Sequence, residues 1–157
     1  MTPGTKTAAM DRKILAMLLV LGLPAAAAPP PGMMANVYRL TEAAAVVTVC
    51  TRSDAFKALP AEKARRMDGL LARLAAVVEA IGRHYRDDTL AATFEATRES
   101  IAGETAMRGY VKTKYQYCGD ALLQDMGAYV EANEKLLNGY FEREAAARAT
   151  PKPPPKP

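Results

Sequence analysis

The strongest structural signal in this chain is a stripe of apolar residues at helical spacing in the region of residues 60–85. The spacing places these residues on one face of an α-helix, while arginine and lysine occupy the other faces. Pro60 suits the first position of this helix, and Glu62 lies in its first turn, where the helix dipole favours negative charge. We therefore predict a helix from Pro60 to about His84. The stripe consists of Met67, Leu70, Leu71, Leu74, Val77, Val78, Ile81 and Tyr85.

An earlier helix is predicted from about Met33 to Arg52, again from apolar residues at helical spacing. Within it, residues 46–49 are rich in β-branched side chains and could form a short strand instead. Because no other segment of the chain could pair with such a strand, we assign these residues to the helix. Residues 53–59 are expected to form a connection.

The second half of the chain predicts a long third helix and a final helical region. Asp87 or Asp88 caps the third helix, which continues to about Cys118. Glycine followed by aspartate at 119–120 predicts a break, after which residues 120–144 form either one helix or two. The fold class is therefore expected to be all-α, a small antiparallel helical bundle of four to five helices with one disulfide.

The first 27 residues have the layout of a cleavable secretory signal. A basic start precedes an apolar run at 14–23, and Pro24 and a run of alanines follow. The apolar run is shorter than the roughly 20 residues that span a bilayer. Cleavage is expected after Ala27, which makes the protein periplasmic or secreted and leaves no stable membrane insertion.

Composition divides the chain into four parts. They are a signal peptide (1–27), a Pro-rich leader (28–35), a helical bundle domain (36–144) and a disordered tail rich in Pro and Lys (145–157). Removing the signal lowers the net charge from +4 to +2, because three basic residues and one acidic residue are lost. So small a charge gives no reason to expect a nucleic-acid partner.

The two cysteines, Cys50 and Cys118, are expected to pair, because an exported chain reaches an oxidising compartment. In an antiparallel bundle the first and third helices run in the same direction, so their C-terminal ends can meet. We therefore predict a structural disulfide. Two free buried cysteines are the alternative, and a redox role lacks the Cys-x-x-Cys motif.

No catalytic motif is present, and no enzyme activity, cofactor or metal is predicted. Neither Ser53 nor Ser100 lies in a Gly-x-Ser-x-Gly sequence, and there is no phosphate-binding glycine loop. His84, the single histidine, could form a metal site with Asp87 or Asp88. The alternative is a favourable charge at the end of a helix.

Tyrosines alternate with basic residues between 108 and 118. Spacings of four and three residues place Tyr110, Lys114 and Tyr117 on one helical face, and we predict that this face binds a partner protein. Tyrosine suits such contacts because it provides a large area and keeps a polar tip. The alternative is that these tyrosines lie along the bundle surface without a partner. The core side of the same helix is expected to carry Val111, Tyr115 and Cys118.

This overall plan is similar to that of small exported bacterial helical proteins with one disulfide, which include acid-stress chaperones and immunity proteins. No motif here matches either group residue by residue, so no functional residue is carried over from them. The sequence therefore predicts an exported protein that binds another envelope protein, as an accessory, inhibitor or chaperone-like factor. The competing hypothesis is a small-ligand or metal carrier that uses the bundle core, with His84 and methionines.

Overall fold

Six α-helices and no strand make up residues 28–149, the part of the chain that the computed structural model describes, which confirms the all-α prediction. The predicted signal peptide and residues 150–157 of the predicted tail lie outside the described residues. Within residues 28–149, no helix combines the length and the hydropathy needed to cross a membrane. The helices are α1 (Pro31–Thr51), α2 (Asp54–Lys57), α3 (Ala61–Tyr85), α4 (Leu90–Gly103), α5 (Thr105–Tyr115) and α6 (Asp120–Ala149).

Helix α1 contacts each of the other five helices. Between Leu40 and Cys50 every residue except Glu42 is buried, so this part of α1 has no solvent-facing side. A helix that is apolar all round must be enclosed by others. The buried hydroxyl of Thr48 is satisfied within the helix, because it donates to the carbonyl of Ala44 at 2.8 Å. The β-branched run at 46–49 is helical, as predicted.

The ends of α1 and α6 differ from the predicted boundaries. Helix α1 begins at Pro31, inside the predicted leader, and proline is well suited to the first turn of a helix. Helix α6 continues through Asn133, whose side-chain amide donates to the carbonyl of Tyr129 at 2.8 Å. Residues 120–144 therefore form one helix. It extends to Ala149, so residues 145–149, which belong to the predicted disordered tail, are helical.

Between residues 28 and 149, six helices replace the expected four to five, partly because the connection at 53–59 contains the one-turn helix α2. The side chain of Ser53 accepts a hydrogen bond from the backbone N–H of Phe56 at 3.3 Å and caps this turn. The second extra helix arises because the predicted third helix is interrupted. Glu104 is extended, with φ −68° and ψ 137°, and separates α4 from α5.

The interruption at Glu104 follows from the position of the cysteines. The end of α4 lies beside the end of α1, since Arg52 pairs with Glu99 at 2.5 Å. A straight helix rises 1.5 Å per residue and would carry Cys118 about 24 Å beyond Ala102, away from Cys50. The chain instead turns at Glu104, and α5 brings Cys118 back to the end of α1.

The two cysteines lie within disulfide-bonding distance, with their Cα atoms 5.1 Å apart. Cys50 is completely buried at the end of α1, and Cys118 is buried in the turn between α5 and α6. The predicted pairing of these two residues is thus reproduced in the fold. The position of Cys118 differs from the prediction, because this residue follows α5 and does not belong to a long third helix.

Helices α3 and α6 are joined by paired polar side chains along most of their length. Lys63 pairs with Asp120 at 2.5 Å near the start of both helices, and Arg73 forms two hydrogen bonds to Glu134, at 2.9 and 2.6 Å. A third contact, a hydrogen bond between His84 and Glu144, joins the last turn of α3 to the C-terminal part of α6. Since the pairs occur in the same order along both helices, α3 and α6 run side by side in the same direction.

The cysteine pair is expected to supply a large share of the stability. Replacing Cys50 and Cys118 by alanine frees a loop of 68 residues in the unfolded state. The chain-entropy relation then predicts a loss of about 4 kcal/mol in the free energy of unfolding. Urea unfolding followed by circular dichroism measures this loss, and the wild type under reducing conditions should behave like the variant. A loss below about 1 kcal/mol would contradict the prediction.

The pair between Arg73 and Glu134 is expected to make stability depend on pH. Arg73 lowers the pKa of Glu134 below its ordinary value of 4.5. The ion pair therefore contributes to the free energy of unfolding at neutral pH, and this contribution is lost as the pH falls through the lowered pKa of Glu134. Because both side chains are over a third exposed, Glu134→Gln should cost only about 0.5–1 kcal/mol at pH 7.

Urea unfolding at pH 7 and at about pH 2 checks this prediction, since the variant and the wild type should converge in acid. Glu142→Gln is the matched control, because Glu142 is an exposed residue of the same helix that forms no ion pair with the described residues. A difference between Glu134→Gln and wild type that persists in acid would show that the amide has another effect.

Candidate functional site

Helix α5 has one buried and one exposed side, as its sequence predicts. Val111 and Tyr115 are buried against the core, and the neighbouring basic residues are exposed. Burial raises the pKa of the Tyr115 phenol, and its hydroxyl donates to a carboxylate oxygen of Asp125 on α6 at 3.0 Å. Tyr115 is thus held at both its ring and its hydroxyl.

The exposed side of α5 brings Tyr110 and Lys114 together. The Lys114 ammonium lies 4.8 Å from the ring centre of Tyr115 and 5.6 Å from that of Tyr110, within the range of cation–π contacts. The two rings meet edge to face with their centres 6.1 Å apart. The ammonium is also 3.6 Å from Asp125. We call Tyr110, Lys114, Tyr115 and Asp125 the α5 face.

The α5 face keeps a positive charge next to an exposed aromatic ring. The adjacent Tyr115 and Tyr110 side chains raise the pKa of Lys114, so this residue is a cation at any physiological pH. Tyr110 is 46% exposed, which is unusual for a large side chain in this protein. The exposed ring and the cation are therefore available to a partner and already hold a defined relative position.

Tyr117 does not belong to this face, contrary to the sequence prediction. Helix α5 ends at Tyr115, and both Gln116 and Tyr117 adopt left-handed backbone angles, with φ of 49° and 66°. The N–H of Tyr117 donates to the carbonyl of Val111 at 3.2 Å, which closes the helix end. Helical spacing no longer applies after this reversal. Tyr117 is half-buried and lines a different part of the surface.

That surface is a cleft of about 440 Å³ beside the cysteine pair, which we call the terminal cleft. Its walls come from the ends of α1 and α4, from α2 and from α5. Tyr117 lines it together with Arg52 and Arg108. The structure thus divides the three predicted site residues between the α5 face, which holds Tyr110 and Lys114, and the terminal cleft, which holds Tyr117.

Asp125 and the cleft arginines were not predicted as site residues. Asp125 lies ten residues after Tyr115, and only the turn between α5 and α6 brings the two together. Arg108 belongs to the basic and aromatic segment, yet helical spacing alone does not show which end of the fold it faces. These residues come together only through tertiary contacts, and no local sequence pattern indicates such contacts.

His84 is placed differently from the metal-site hypothesis. Its ring Nε2 pairs with Glu144 of α6, and the ring stacks on Phe141 with centres 4.0 Å apart. Asp87 instead accepts hydrogen bonds from the backbone N–H and the hydroxyl of Thr89, at 3.0 and 2.7 Å. Among residues 28–149 no three His, Cys, Asp or Glu side chains are grouped closely enough to hold a metal ion.

The turn that orients Tyr117 requires glycine at position 119. A Cβ atom there would lie 2.7 Å from the backbone carbonyl oxygen of Tyr115, a distance at which the backbone must move. Gly119→Ala should therefore lower the free energy of unfolding by about 1–3 kcal/mol. Gly109→Ala is the control, since a Cβ there meets no atom within 4 Å.

Gly109 lies inside α5, so its replacement by alanine should raise stability by about 0.5–1 kcal/mol. Thermal or urea unfolding of both variants measures the two effects, which are expected to have opposite signs. Equal effects of the two substitutions would mean that the close approach at Gly119 does not determine the turn.

The geometry of the described residues thus offers two surfaces, the α5 face and the terminal cleft. No protein-family model matches the chain, and comparisons with curated proteins and with solved structures find no match either. The function therefore has to be inferred from these two surfaces and from the chemistry of their residues.

Proposed function

We propose that this protein is an exported helical bundle that acts by binding another protein of the bacterial envelope, as an accessory, inhibitor or chaperone-like factor. It works in the periplasm or outside the cell, and it is not an enzyme. The observation that carries the proposal is the position of Lys114, which lies between two tyrosine rings on the exposed side of α5.

The α5 face suits protein binding because part of its ordering cost is already met. Binding costs free energy when flexible side chains become fixed, and this entropic cost is largest for long side chains such as that of lysine. Here Tyr115 is anchored by burial and by Asp125, and it limits the positions open to Lys114. Tyr110 then offers an exposed aromatic surface. Tyrosine, together with Trp and Arg, is the residue type that most often dominates the binding energy of an interface.

The proposed location outside the cytoplasm is supported by two independent features. The first 27 residues have the layout of a secretory signal. The cysteine pair joins parts of the chain 68 residues apart at bonding distance. Disulfides of this kind persist in oxidising compartments and are rare in the cytosol.

The double variant Tyr110→Ala and Lys114→Ala should weaken binding to the partner by about 10- to 100-fold, since hot-spot residues each contribute more than about 1 kcal/mol. The partner is first captured from envelope extract with the wild-type protein. It is then purified, so that dissociation constants can be measured by calorimetry. Far-ultraviolet circular dichroism should show unchanged helicity.

The matched control is the double variant Tyr38→Ala and Lys112→Ala. It removes one exposed tyrosine and one exposed lysine that lie outside the α5 face, with the same change of charge. This control should bind as tightly as the wild type. If both double variants bind equally well, the α5 face is not the binding surface.

A further inference from the structure

The terminal cleft has the size of a small-ligand site. Its volume of about 440 Å³ falls within the range of roughly 300–1,000 Å³ that such sites usually have. Three of its walls present small apolar side chains, those of Val49, Ala55 and Ala102. Because these side chains are short, they leave room for the apolar body of a ligand.

Two guanidinium groups give the cleft its charge. Arg52 lies at the end of α1 and is paired with Glu99 at 2.5 Å. Arg108 comes from α5 and forms no ion pair with any residue of the described part of the chain. Asp54 also borders the cleft, but its carboxylate is 95% exposed and pairs with Lys57 at 2.7 Å. Within residues 28–149, Arg108 is therefore the cation of the cleft that has no ion-pair partner.

Tyr117 is a third polar side chain that lines the cleft, and its backbone conformation is strained. Two consecutive non-glycine residues in left-handed backbone conformation cost roughly 1–2 kcal/mol each. This strained turn directs Tyr117 to the cleft, beside Arg52 and Arg108. Backbone strain of this kind is often found at binding sites, where it places a side chain that an ordinary turn would not. The hydroxyl of Ser53 is not available, because it donates to the carbonyl of Cys50 at 2.7 Å.

We propose that the terminal cleft binds the carboxylate of an organic acid with an apolar body. Arg108 holds the carboxylate through its two-pronged guanidinium, and Tyr117 contributes its ring and hydroxyl. The apolar part lies against Val49, Ala55 and Ala102. The acid is either a free small molecule or the C-terminal carboxylate of a peptide.

The charges of the cleft favour a singly charged ligand. One guanidinium without a partner matches one carboxylate, whereas a doubly charged phosphate would need further free cations. Arg52 is already shared with Glu99, and Asp54 would repel a second negative charge. Inorganic phosphate is therefore a useful comparison ligand.

The test uses purified oxidised protein and two matched probes, 3-phenylpropanoate and its neutral amide, titrated by NMR. The acid should bind at least tenfold more tightly than the amide and should shift the methyl signals of Ala55 and Ala102. Acetyl-Ala-Ala-Phe with a free or an amidated C terminus tests the peptide source. Tighter binding of the free-acid peptide assigns a chain terminus as the ligand, and tighter binding of 3-phenylpropanoate assigns a free acid.

Arg108→Ala should weaken binding of the acid at least tenfold and leave the amide unchanged. Arg65→Ala is the charge-matched control, since Arg65 is an exposed residue of α3 outside the cleft, and it should bind the acid like the wild type. Arg108→Lys keeps the positive charge but loses the planar guanidinium that can form two parallel hydrogen bonds to a carboxylate, so an intermediate affinity is expected. Circular dichroism verifies that each variant is folded.

Three results would overturn the proposal. The first is equal affinity for the acid and the amide, and the second is an equal effect of Arg108→Ala and Arg65→Ala. The third is tighter binding of inorganic phosphate than of 3-phenylpropanoate. The double variant Tyr110→Ala and Lys114→Ala should bind the acid normally, so this proposal and the one for the α5 face can fail separately.

Discussion

The link between Cys50 and Cys118 is the constraint on which the arrangement of one end of this protein depends. Cys50 lies in the last turn of the central helix α1, so any segment that reaches it must return to that end of the fold. A continuous helix from Leu90 to Cys118 could not return to that end, and the helix is therefore interrupted at Glu104. The same requirement ends α5 at Tyr115 and produces the left-handed turn that follows. The terminal cleft, with Tyr117 in its wall, forms where these segments meet.

A different principle organises the contact between α3 and α6. The ion pairs of Lys63 with Asp120 and of Arg73 with Glu134 are at least partly exposed, and each contributes little on its own because water screens such charges. Their order along both helices matters more than their strength. Sliding one helix by a single turn would separate every pair at once. The pairs therefore act mainly on alignment, while the buried apolar face of α3 supplies most of the stabilisation.

Local patterns in the sequence predict the helices well, because each helix has to bury the residues that repeat at helical spacing. The stripe that includes Leu74 and Ile81 is buried as expected except for the partly buried Leu71, and Val111 in α5 is buried too. What could not be predicted depends on contacts between distant segments. The end of α5 before Tyr117 follows from the position of Cys50, which lies 68 residues before Cys118. Glu144, the partner of His84, likewise lies 60 residues away, where no local pattern could indicate it.

The complete enclosure of α1 has a consequence for the way the protein is made. Among the helices of residues 28–149, this one is the most apolar and comes first, and its most extensive contacts are with α4. A chain synthesised or translocated from its N terminus therefore presents α1 to water well before Leu90–Gly103 is available to cover it. Partly formed chains that expose such apolar surface aggregate readily. During this interval the nascent protein is a natural client for chaperones, and it can reach a stable fold only after most of its length has emerged.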